Sequence, residues 1–536
     1  MFSQPTWSSR RLLAALIGIV AVSAAIRAYL FRGYVGLDDA EYAHLAYQLA
    51  YGSFHSAAYT GPVVFPLRIG VIMPTAILFR VFGVHEWTMV LYPFIVSVLS
   101  IALIYLCTSL WFGQAAGLIS AALMTIFPWD IDNATKLLPD LPAAFFGAAG
   151  ITTIVFVERL GVRRRSLLFG AGALAGVFLG YSWLCKESVA YLAPFCAALM
   201  VLTLRNRGSS MLYVWGGVAA GSLPILLGEM ITYHGIAGDF LFRFHAAERD
   251  YHQNAKYFFA EGSDFGWKAG DSRTHALVNR LFVSGPAAIF VNRSMLFMPT
   301  IGLVAMLYAW LRRDRSFLVP AVWLWTLVLM FNFSSSSTTS YAPLVLLERY
   351  MYPIFFPSIV LVSGFFAKTI VLRHEPARRE IPILRLAGAL TAVCLLWIGG
   401  KDVALAFKYP PTWWLKDVRI VKAYVTPDSS VYADTLSLRA FEFFEGYPKT
   451  TAWTDFERLG SPEELPPGSL VVVNNQFIQW LDSHGGIWGS RTSGYRQFPF
   501  YSAAPRSWTR LWQNGNLSLY RVNERSAGMT TESSKS

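Results

Sequence analysis

The sequence predicts an all-α polytopic membrane domain of about eleven transmembrane helices, followed by a small soluble C-terminal α/β domain. Of the 536 residues, 54% are hydrophobic and only 15% are charged. A soluble globular chain carries about a quarter charged residues. Apolar runs of roughly 20 residues, long enough to span a bilayer, also recur along the chain. The chain is therefore predicted to cross a membrane many times.

Most arginines of the first 400 residues lie in every second connection between the apolar runs. Cytoplasmic loops are enriched in Lys and Arg, so this alternation predicts a cytoplasmic N-terminus and an external C-terminal region. The first run follows Arg10 and Arg11 and is interpreted as an uncleaved helix, because Arg27 interrupts its small-residue end. The predicted runs are 12–30, 88–111, 114–128, 138–157, 166–183, 188–204, 211–233, 288–311, 316–333, 346–371 and 383–400.

This topology divides the chain into three predicted parts. A membrane domain covers 1–400, with outer loops at 31–87 and 234–287, an extracytoplasmic α/β domain covers 401–525, and 526–536 is expected to be disordered. Helices and strands alternate in the second part, which is typical of a small α/β fold. Further helices are predicted at 38–51, 66–83, 240–257, 413–423, 436–445 and 476–481, and strands at 430–433, 470–473, 517–522 and around Trp512.

Several function classes are excluded by the sequence. There is no GxxxxGK[ST] phosphate loop and the cytoplasmic connections are short, which argues against an ATP-driven pump. The four cysteines show no CxxC spacing and lie in or beside apolar runs, so neither a cysteine metal site nor a disulfide framework is expected. The net charge of +12 comes mainly from loop arginines, and no nucleic-acid partner is predicted.

An acidic stretch follows the first apolar run, with Asp38, Asp39 and Glu41 within four positions. Asp38 followed by Glu41 three residues later forms a capping box, which starts a helix and needs no further function. Two adjacent carboxylates beside a membrane also indicate a site, because one raises the pKa of the other toward that of a general base. The two interpretations are compatible, and Asp39 is the residue that capping leaves unexplained.

Four further polar features are predicted on the outer side. Each also has a simpler interpretation. Asp140 can act as a helix cap, and Lys186 as a snorkelling lysine paired with Glu187. Arg349 can be a solvated anchor, and the polar face of the helix near 240–257 can be a surface turned to water. The residues that share this last face include His245, Glu248 and Arg249, which are weak candidates for a divalent metal, although the HExxH order is missing.

The motifs together resemble a known superfamily. Asp38-Asp39-Ala40-Glu41-Tyr42 through Ala46 looks like the Asp-Glu-x-x-Tyr-x-x-x-Ala stretch of the dolichyl-phosphate-mannose–protein mannosyltransferase and aminoarabinose transferase superfamily, which has the GT-C fold. The segment from Lys136 to Pro142 resembles its Arg-x-x-x-Pro-Asp stretch, Lys186 its Thr-Lys turn, and Arg349-Tyr350-x-x-Pro353 its Arg-Tyr-x-x-Pro stretch. The resemblance covers residues from about 10 to 400.

The resemblance implies transfer of a sugar from a polyprenyl-phosphate donor, with inversion, to a glycan, glycolipid or protein acceptor outside the cytoplasm. It implies Asp38 as general base with Asp39 assisting. Where the family has Glu-Lys-Pro, this chain has Val64-Phe65-Pro66, so Arg68 is the candidate replacement for the lost charge and a bound metal is less expected. The candidate substrate-binding and phosphate-binding residues are Arg68, Lys136, Asp140, Lys186, Arg249, Arg349 and Tyr350.

Two functions from other classes stay open. A transporter or flippase for a lipid-linked or small substrate would place charged residues deep within its spans. In this chain nearly all charged residues are predicted at the outer ends of the spans. A non-catalytic membrane scaffold, with a C-terminal domain that binds a partner, is the third possibility.

Overall fold

A computed structural model of the chain describes residues 9–36, 38–54, 64–162, 164–258, 272–335, 341, 343–344, 346–371, 382–408, 414–426, 429–447, 453–455, 465–475 and 507–523. The predicted helix over 476–481 and the tail over 526–536 lie outside these residues. The first seventeen helices are α1 (Ser9–Tyr29), α2 (Asp38–Tyr51), α3 (Ile69–Phe82), α4 (Glu86–Phe112), α5 (Gln114–Thr125), α6 (Pro128–Asn133), α7 (Asp140–Leu160), α8 (Arg165–Cys185), α9 (Ala193–Arg207), α10 (Met211–Ala237), α11 (Phe242–Phe258), α12 (Arg273–Asn279), α13 (Gly285–Phe290), α14 (Met298–Arg312), α15 (Leu318–Phe333), α16 (Tyr352–Phe366) and α17 (Pro382–Lys408).

Every predicted apolar run contains a helix. In the described part of the chain, eight continuous helical stretches are long and apolar enough to cross a bilayer. One of them, Glu187–Ala237, contains both α9 and α10, which separate at Gly208, where φ is +70°. α5 and α14 are shorter apolar helices of 12 and 15 residues. The polytopic helical fold is therefore confirmed.

The run predicted over 288–311 is divided between α13 and α14. Leu296 and Phe297 have positive φ angles of 49° and 51°, which take the backbone out of the helical region. The side chain of Asn292 accepts a hydrogen bond from the backbone N–H of Ser294 at 2.8 Å and stabilises this turn. A single span over this whole range was a wrong prediction, because apolar composition does not report a local turn.

α8 and α10 pack with their backbones in contact. A Cβ atom added at Gly176 would lie 2.1 Å from the carbonyl oxygen of Val218, and one added at Gly221 would lie 2.1 Å from that of Ala173. Small residues allow helices in a membrane to approach this closely. The close pairing fixes the end of α8, where Lys186 follows.

A buried ion pair connects α1 to α6. The side chains of Arg27 and Asp130 are both fully buried, and the guanidinium Nε donates to Asp130 at 3.0 Å and to Ser97 at 2.7 Å. The hydroxyl of Tyr352, at the start of α16, also donates to Asp130. Burying charges is costly unless they are paired in this way. The cluster therefore holds four helices together, α1, α4, α6 and α16, and fixes where α16 begins.

The C-terminal region contains a five-stranded sheet with one helix, α18 (Thr435–Phe444), and a 3-10 helix at Trp414–Ala423. Its strand order is β2-β1-β3-β5-β4, with β1 parallel to β2 and β3, and β5 antiparallel to β3 and β4. The central strand β3 is buried along its whole length, as an apolar run in a sheet requires. The strands are β1 (Val431–Ala433), β2 (Trp453–Asp455), β3 (Leu470–Asn474), β4 (Trp508–Gln513) and β5 (Leu517–Val522).

The predicted α/β character of this region is confirmed, and β2 is an additional strand that the sequence analysis missed. α18 packs against α2 of the membrane domain. The ring of Phe443 stacks on that of Tyr34 with centroids 4.7 Å apart, and Arg439 pairs with Glu41 at 3.3 Å. The C-terminal region thus contacts the helix that begins with the acidic stretch.

Removing one member of the buried pair is expected to destabilise the membrane domain. Breaking a buried ion pair leaves an uncompensated charge and costs roughly 3–5 kcal/mol. Arg27→Leu should therefore lower the melting temperature of the detergent-solubilised protein clearly, and the double variant Arg27→Leu/Asp130→Leu should recover part of the loss. Arg293→Leu is the control, because Arg293 is mostly exposed in its pair with Asp402 and should cost less than about 1 kcal/mol. Equal melting temperatures for all variants would contradict this role.

Candidate functional site

The candidate site is built where α2, α7 and α8 meet the 3-10 turn Glu348–Met351. The carboxylate of Asp38, the first residue of α2, contacts the guanidinium of Arg349 at 2.6 Å. Both side chains are 27% exposed, so the pair is accessible from solvent. The structure therefore brings together two predicted residues that are far apart in the chain.

Asp39 has a different environment from Asp38. Its side chain is buried, and one carboxylate oxygen accepts hydrogen bonds from the backbone N–H groups of Val35 at 2.6 Å and Gly36 at 3.2 Å. These contacts hold the turn that leads from α1 into α2. The two adjacent acids thus differ in geometry: Asp38 faces an accessible cation, and Asp39 anchors the backbone that presents Asp38.

Lys186 and Asp140 form a second, buried pair beside the first. Lys186 lies between two spanning stretches, donates to Asp140 rather than to its neighbour Glu187, and places its ammonium 3.8 Å from the ring centre of Tyr350. Burial lowers the pKa of Lys186 to about 8, although Asp140 acts in the opposite direction. The second carboxylate oxygen of Asp140 has no hydrogen-bond partner among the described residues.

Tyr350 connects the two pairs. Its ring contacts two cations. The ammonium of Lys186 lies 3.8 Å from the ring centre, and the guanidinium of Arg349 lies 5.2 Å from it. Cations are attracted to an aromatic face by its quadrupole. Two positive groups and one exposed carboxylate are therefore held around a single tyrosine.

A third network is centred on Glu187, which follows Lys186 directly in the chain. Arg68 is buried and binds Glu187 through two contacts, at 2.8 Å and 3.4 Å, and it also donates to the hydroxyl of Tyr42. Arg243 from α11 lies 3.9 Å from Glu187 and binds Glu229 on α10. Burial raises the pKa of Tyr42, so its hydroxyl stays protonated. This network joins α2, α10 and α11 to the beginning of the α3 segment.

Arg243, Glu229 and Tyr42 were not predicted as site residues. The sequence pattern predicts site residues on the α11 face that carries Arg249, but the buried face of α11 carries Arg243, Ala246 and Asp250. Their i, i+3, i+7 spacing is the signal that could have identified it. Helical spacing reveals such a face, but it does not reveal which face turns inward when both contain charged residues.

Two other predicted residues, Lys136 and Arg249, have partners outside these pairs. Lys136 pairs with Asp132, which also binds Arg32 at 2.5 Å. Arg249 is exposed on α11, with its guanidinium 6.0 Å from the ring centre of Phe242. Their roles remain predictions.

His245 and Glu248 line an open cavity of about 440 Å³ together with Arg249 and Asp239. The imidazole Nδ1 of His245 lies 2.7 Å from the carboxylate of Asp239, and this hydrogen bond lowers the pKa of Asp239. Within the described residues, no three His, Cys, Asp or Glu side chains lie close enough to hold a metal ion. The carboxylates of the candidate site are each bound to a cation or a backbone N–H.

Residues 71–227, from α3 to α10, match the family model of dolichyl-phosphate-mannose-protein mannosyltransferase. No curated protein matches the chain at a significant level of sequence similarity.

Solved structures align with nearly the whole chain. ArnT from Cupriavidus metallidurans bound to undecaprenyl phosphate aligns with a TM-score of 0.57 and 13% identity over 96% of this chain and 98% of that one. The apo oligosaccharyltransferase of Archaeoglobus fulgidus aligns with a TM-score of 0.56 and 14% identity over 88% of this chain and 71% of that one. The chain has the GT-C fold. The GT-C resemblance found in the sequence is thereby confirmed.

A third solved structure, which contains bound ligands, also aligns with this chain. Archaeal oligosaccharyltransferase AglB from Archaeoglobus fulgidus, in complex with an inhibitory peptide and a dolichol-phosphate, aligns with a TM-score of 0.51 and 14% identity over 86% of this chain and 70% of that one. At this identity the alignment establishes the fold, and the chemistry of the site must be argued from its own residues.

The two-point contact between Arg68 and Glu187 gives a test of the supporting network. Lysine has no planar fork, so Arg68→Lys should lose one of the two contacts and lower the stability of the detergent-solubilised protein by roughly 1–3 kcal/mol. The measurement is thermal unfolding followed by tryptophan fluorescence. Arg249→Lys is the matched control, because that side chain is exposed, and it should leave the melting temperature unchanged. A melting temperature of Arg68→Lys equal to that of the wild type would contradict the network.

Proposed function

We propose that this protein is an integral-membrane glycosyltransferase that moves a sugar, with inversion, from a polyprenyl-phosphate donor to a hydroxyl or amine acceptor. The observation that carries the proposal is the accessible Asp38–Arg349 pair beside the buried Lys186–Asp140 pair. It combines one carboxylate able to receive a proton with two cations able to bind a phosphate. The family model and the GT-C fold support the same class of reaction.

Asp38 is the proposed general base. One of its oxygens takes the proton of the acceptor hydroxyl or amine as the acceptor atom attacks the anomeric carbon. The bond between that carbon and the phosphate oxygen breaks on the opposite face, and the polyprenyl phosphate leaves with the bonding electron pair. Arg349 orients Asp38 through the 2.6 Å contact, and Asp39 holds the turn that presents it.

The departing phosphate is the proposed ligand of the two cations at Tyr350. Arg349 uses one nitrogen for Asp38, and its other N–H groups have no partner among the described residues. Lys186 has three N–H donors and uses one for Asp140. Groups fixed in this way before the reaction stabilise charge as it develops, which is commonly the largest contribution to catalysis. Arg68 is already bound to Glu187, so its proposed part is to support this arrangement.

The reaction is proposed to occur on the outer face of a bacterial inner membrane. The arginine clusters between α7 and α8 and between α9 and α10 support a cytoplasmic position for those loops. α2 and the C-terminal domain would then lie on the opposite, periplasmic side. The acceptor is a glycan, a glycolipid or a protein, and the lipid-linked donor reaches the site from the bilayer.

Replacing the base tests the proposal directly. Asp38→Asn keeps the shape of the side chain but cannot take the proton, so sugar transfer should fall by roughly 10²- to 10⁴-fold. The measurement is sugar transfer or release in membranes supplied with a set of radiolabelled polyprenyl-phosphate sugars. Asp314→Asn is the matched control, since Asp314 is similarly exposed and also ion-paired, with Lys368, but belongs to the loop between α14 and α15. Transfer at the wild-type rate by Asp38→Asn would overturn the assignment.

The titration of Lys186 predicts that the affinity for the donor phosphate depends on pH. Its pKa of about 8 means that the ammonium is charged below pH 8 and neutral above it. Affinity for the donor phosphate should therefore fall as the pH rises through 8, seen as a rising KM for the donor between pH 7 and 9.5. Lys186→Arg should remove this rise, because a guanidinium stays charged up to a pH of about 12. Lys136→Arg, the control, should keep the wild-type profile, and an unchanged profile in Lys186→Arg would contradict phosphate binding by Lys186.

A further inference from the structure

A cleft outside the charged site lies between α2 of the membrane domain and α18 of the C-terminal domain. It has a volume of about 450 Å³, within the range of about 300–1,000 Å³ typical of small-molecule sites. None of the residues assigned above to the reaction lines it. Its main lining residues are His44, Tyr47, Gln48, Tyr51, Glu442 and Tyr447.

Three tyrosine rings form an aromatic surface in this cleft. Tyr47 stacks on Tyr447 with centroids 4.4 Å apart and packs against Tyr51 at 4.7 Å. The hydroxyl of Tyr47 donates to the backbone carbonyl of Tyr447 at 3.4 Å. Tyrosine combines an apolar ring face with a polar hydroxyl, so these rings offer both apolar surface and hydrogen-bonding groups.

The position of Tyr447 is maintained at an energetic cost. Its φ angle is +57°, in the left-handed region that a bulky residue rarely adopts. Such a conformation costs about 1–3 kcal/mol and persists only where surrounding contacts maintain it. Here the contacts are with Tyr47 and with the ring of His44, whose centroid lies 5.4 Å from that of Tyr447. The backbone N–H of Tyr447 also donates to the carbonyl of Glu442 at 2.6 Å, and these contacts together hold the ring in the cleft.

The polar side chains of the cleft are either uncharged or paired with an opposite charge. Burial and the nearby Arg439 lower the pKa of His44 to about 3, so the imidazole is uncharged and has one donor and one acceptor nitrogen. Gln48 Nε2 lies 2.9 Å from His44 Nε2. Glu442 is paired with Arg439 at 3.0 Å, and Arg439 also holds Glu41. Among its described lining residues, the cleft thus presents both donors and acceptors without an unpaired charge.

From this combination we infer that the cleft binds a sugar ring of the acceptor, as part of a glycan or a glycolipid headgroup. A pyranose has a face of C–H groups that packs on an aromatic ring and a rim of hydroxyls that both donate and accept hydrogen bonds. An acyl chain would cover the polar side chains of His44, Gln48 and Glu442 with apolar atoms and offer them no further hydrogen bonds, which costs free energy in a buried contact. Among the described lining residues, a charged headgroup would meet no free counter-charge.

The cleft lies within reach of the proposed base. Both are on α2, and the six positions from Asp38 to His44 correspond to a rise of roughly 9 Å and a rotation of about 240° around the helix axis. An acceptor held in the cleft would therefore extend around the first turn of α2 to meet Asp38. This inference rests on the proposed glycosyltransferase function, and it identifies the acceptor as a carbohydrate.

The test uses the full-length protein in nanodiscs and saturation-transfer NMR with trisaccharides of glucose, mannose, galactose and N-acetylglucosamine, alongside tripeptides. At least one trisaccharide is expected to bind through its ring protons. Tyr47→Ala should weaken that binding by about tenfold or more, and Tyr47→Phe should retain most of it. Tyr213→Ala on α10, outside the cleft, should leave binding unchanged. Thermal unfolding of each variant shows whether it is folded, and Tyr51→Ala provides a second variant if Tyr47→Ala is not.

The outcomes separate this inference from the proposed function. The inference is overturned if no trisaccharide binds, if binding is equal in the folded alanine variants, or if only the tripeptides bind. Where the base variant Asp38→Asn abolishes sugar transfer but no trisaccharide binds, the cleft assignment fails and the transferase stands. Where a trisaccharide binds at Tyr47 but no polyprenyl-phosphate sugar is consumed, the carbohydrate site stands and the transferase fails.

Discussion

An ionised side chain can be buried in a membrane protein only when an opposite charge accompanies it, because desolvation costs several kcal/mol for each ion. In this chain the constraint joins elements that are distant in sequence. The pairs bring α1 to α6, α7 to α8, and the α3 segment to the turn after α8. The buried pairs are Arg27–Asp130, Asp140–Lys186 and Arg68–Glu187. The outer ends of the helices are therefore positioned by charge pairing as well as by apolar packing.

The same constraint explains how neighbouring acids acquire different roles. Asp39 is buried and satisfied by two backbone N–H groups, so it behaves as part of the turn. Asp38 is only one residue away, but it is partly exposed and held by Arg349, which is itself partly exposed. Chemistry at the site then depends on the rotation of α2, which exposes one carboxylate and buries the next.

α2 also connects the membrane domain to the C-terminal domain. Its first turn contacts Arg349, while Glu41 and the residues beyond it contact α18. Arg439 is central to the second contact, because it holds Glu41 and Glu442 at the same time. The C-terminal domain is therefore held against the helix that begins with Asp38.

The sequence by itself determined the helical membrane fold and its C-terminal sheet, because apolar runs and strand patterns are local properties. It also identified Asp38, Lys186 and Arg349 as charged residues beside such runs. Only the tertiary structure decided the partners: Lys186 meets Asp140 instead of the adjacent Glu187, and Arg243 turns inward on α11 where Arg249 remains exposed. Partners depend on how each helix rotates and crosses its neighbours, and a one-dimensional pattern of residues does not contain those angles.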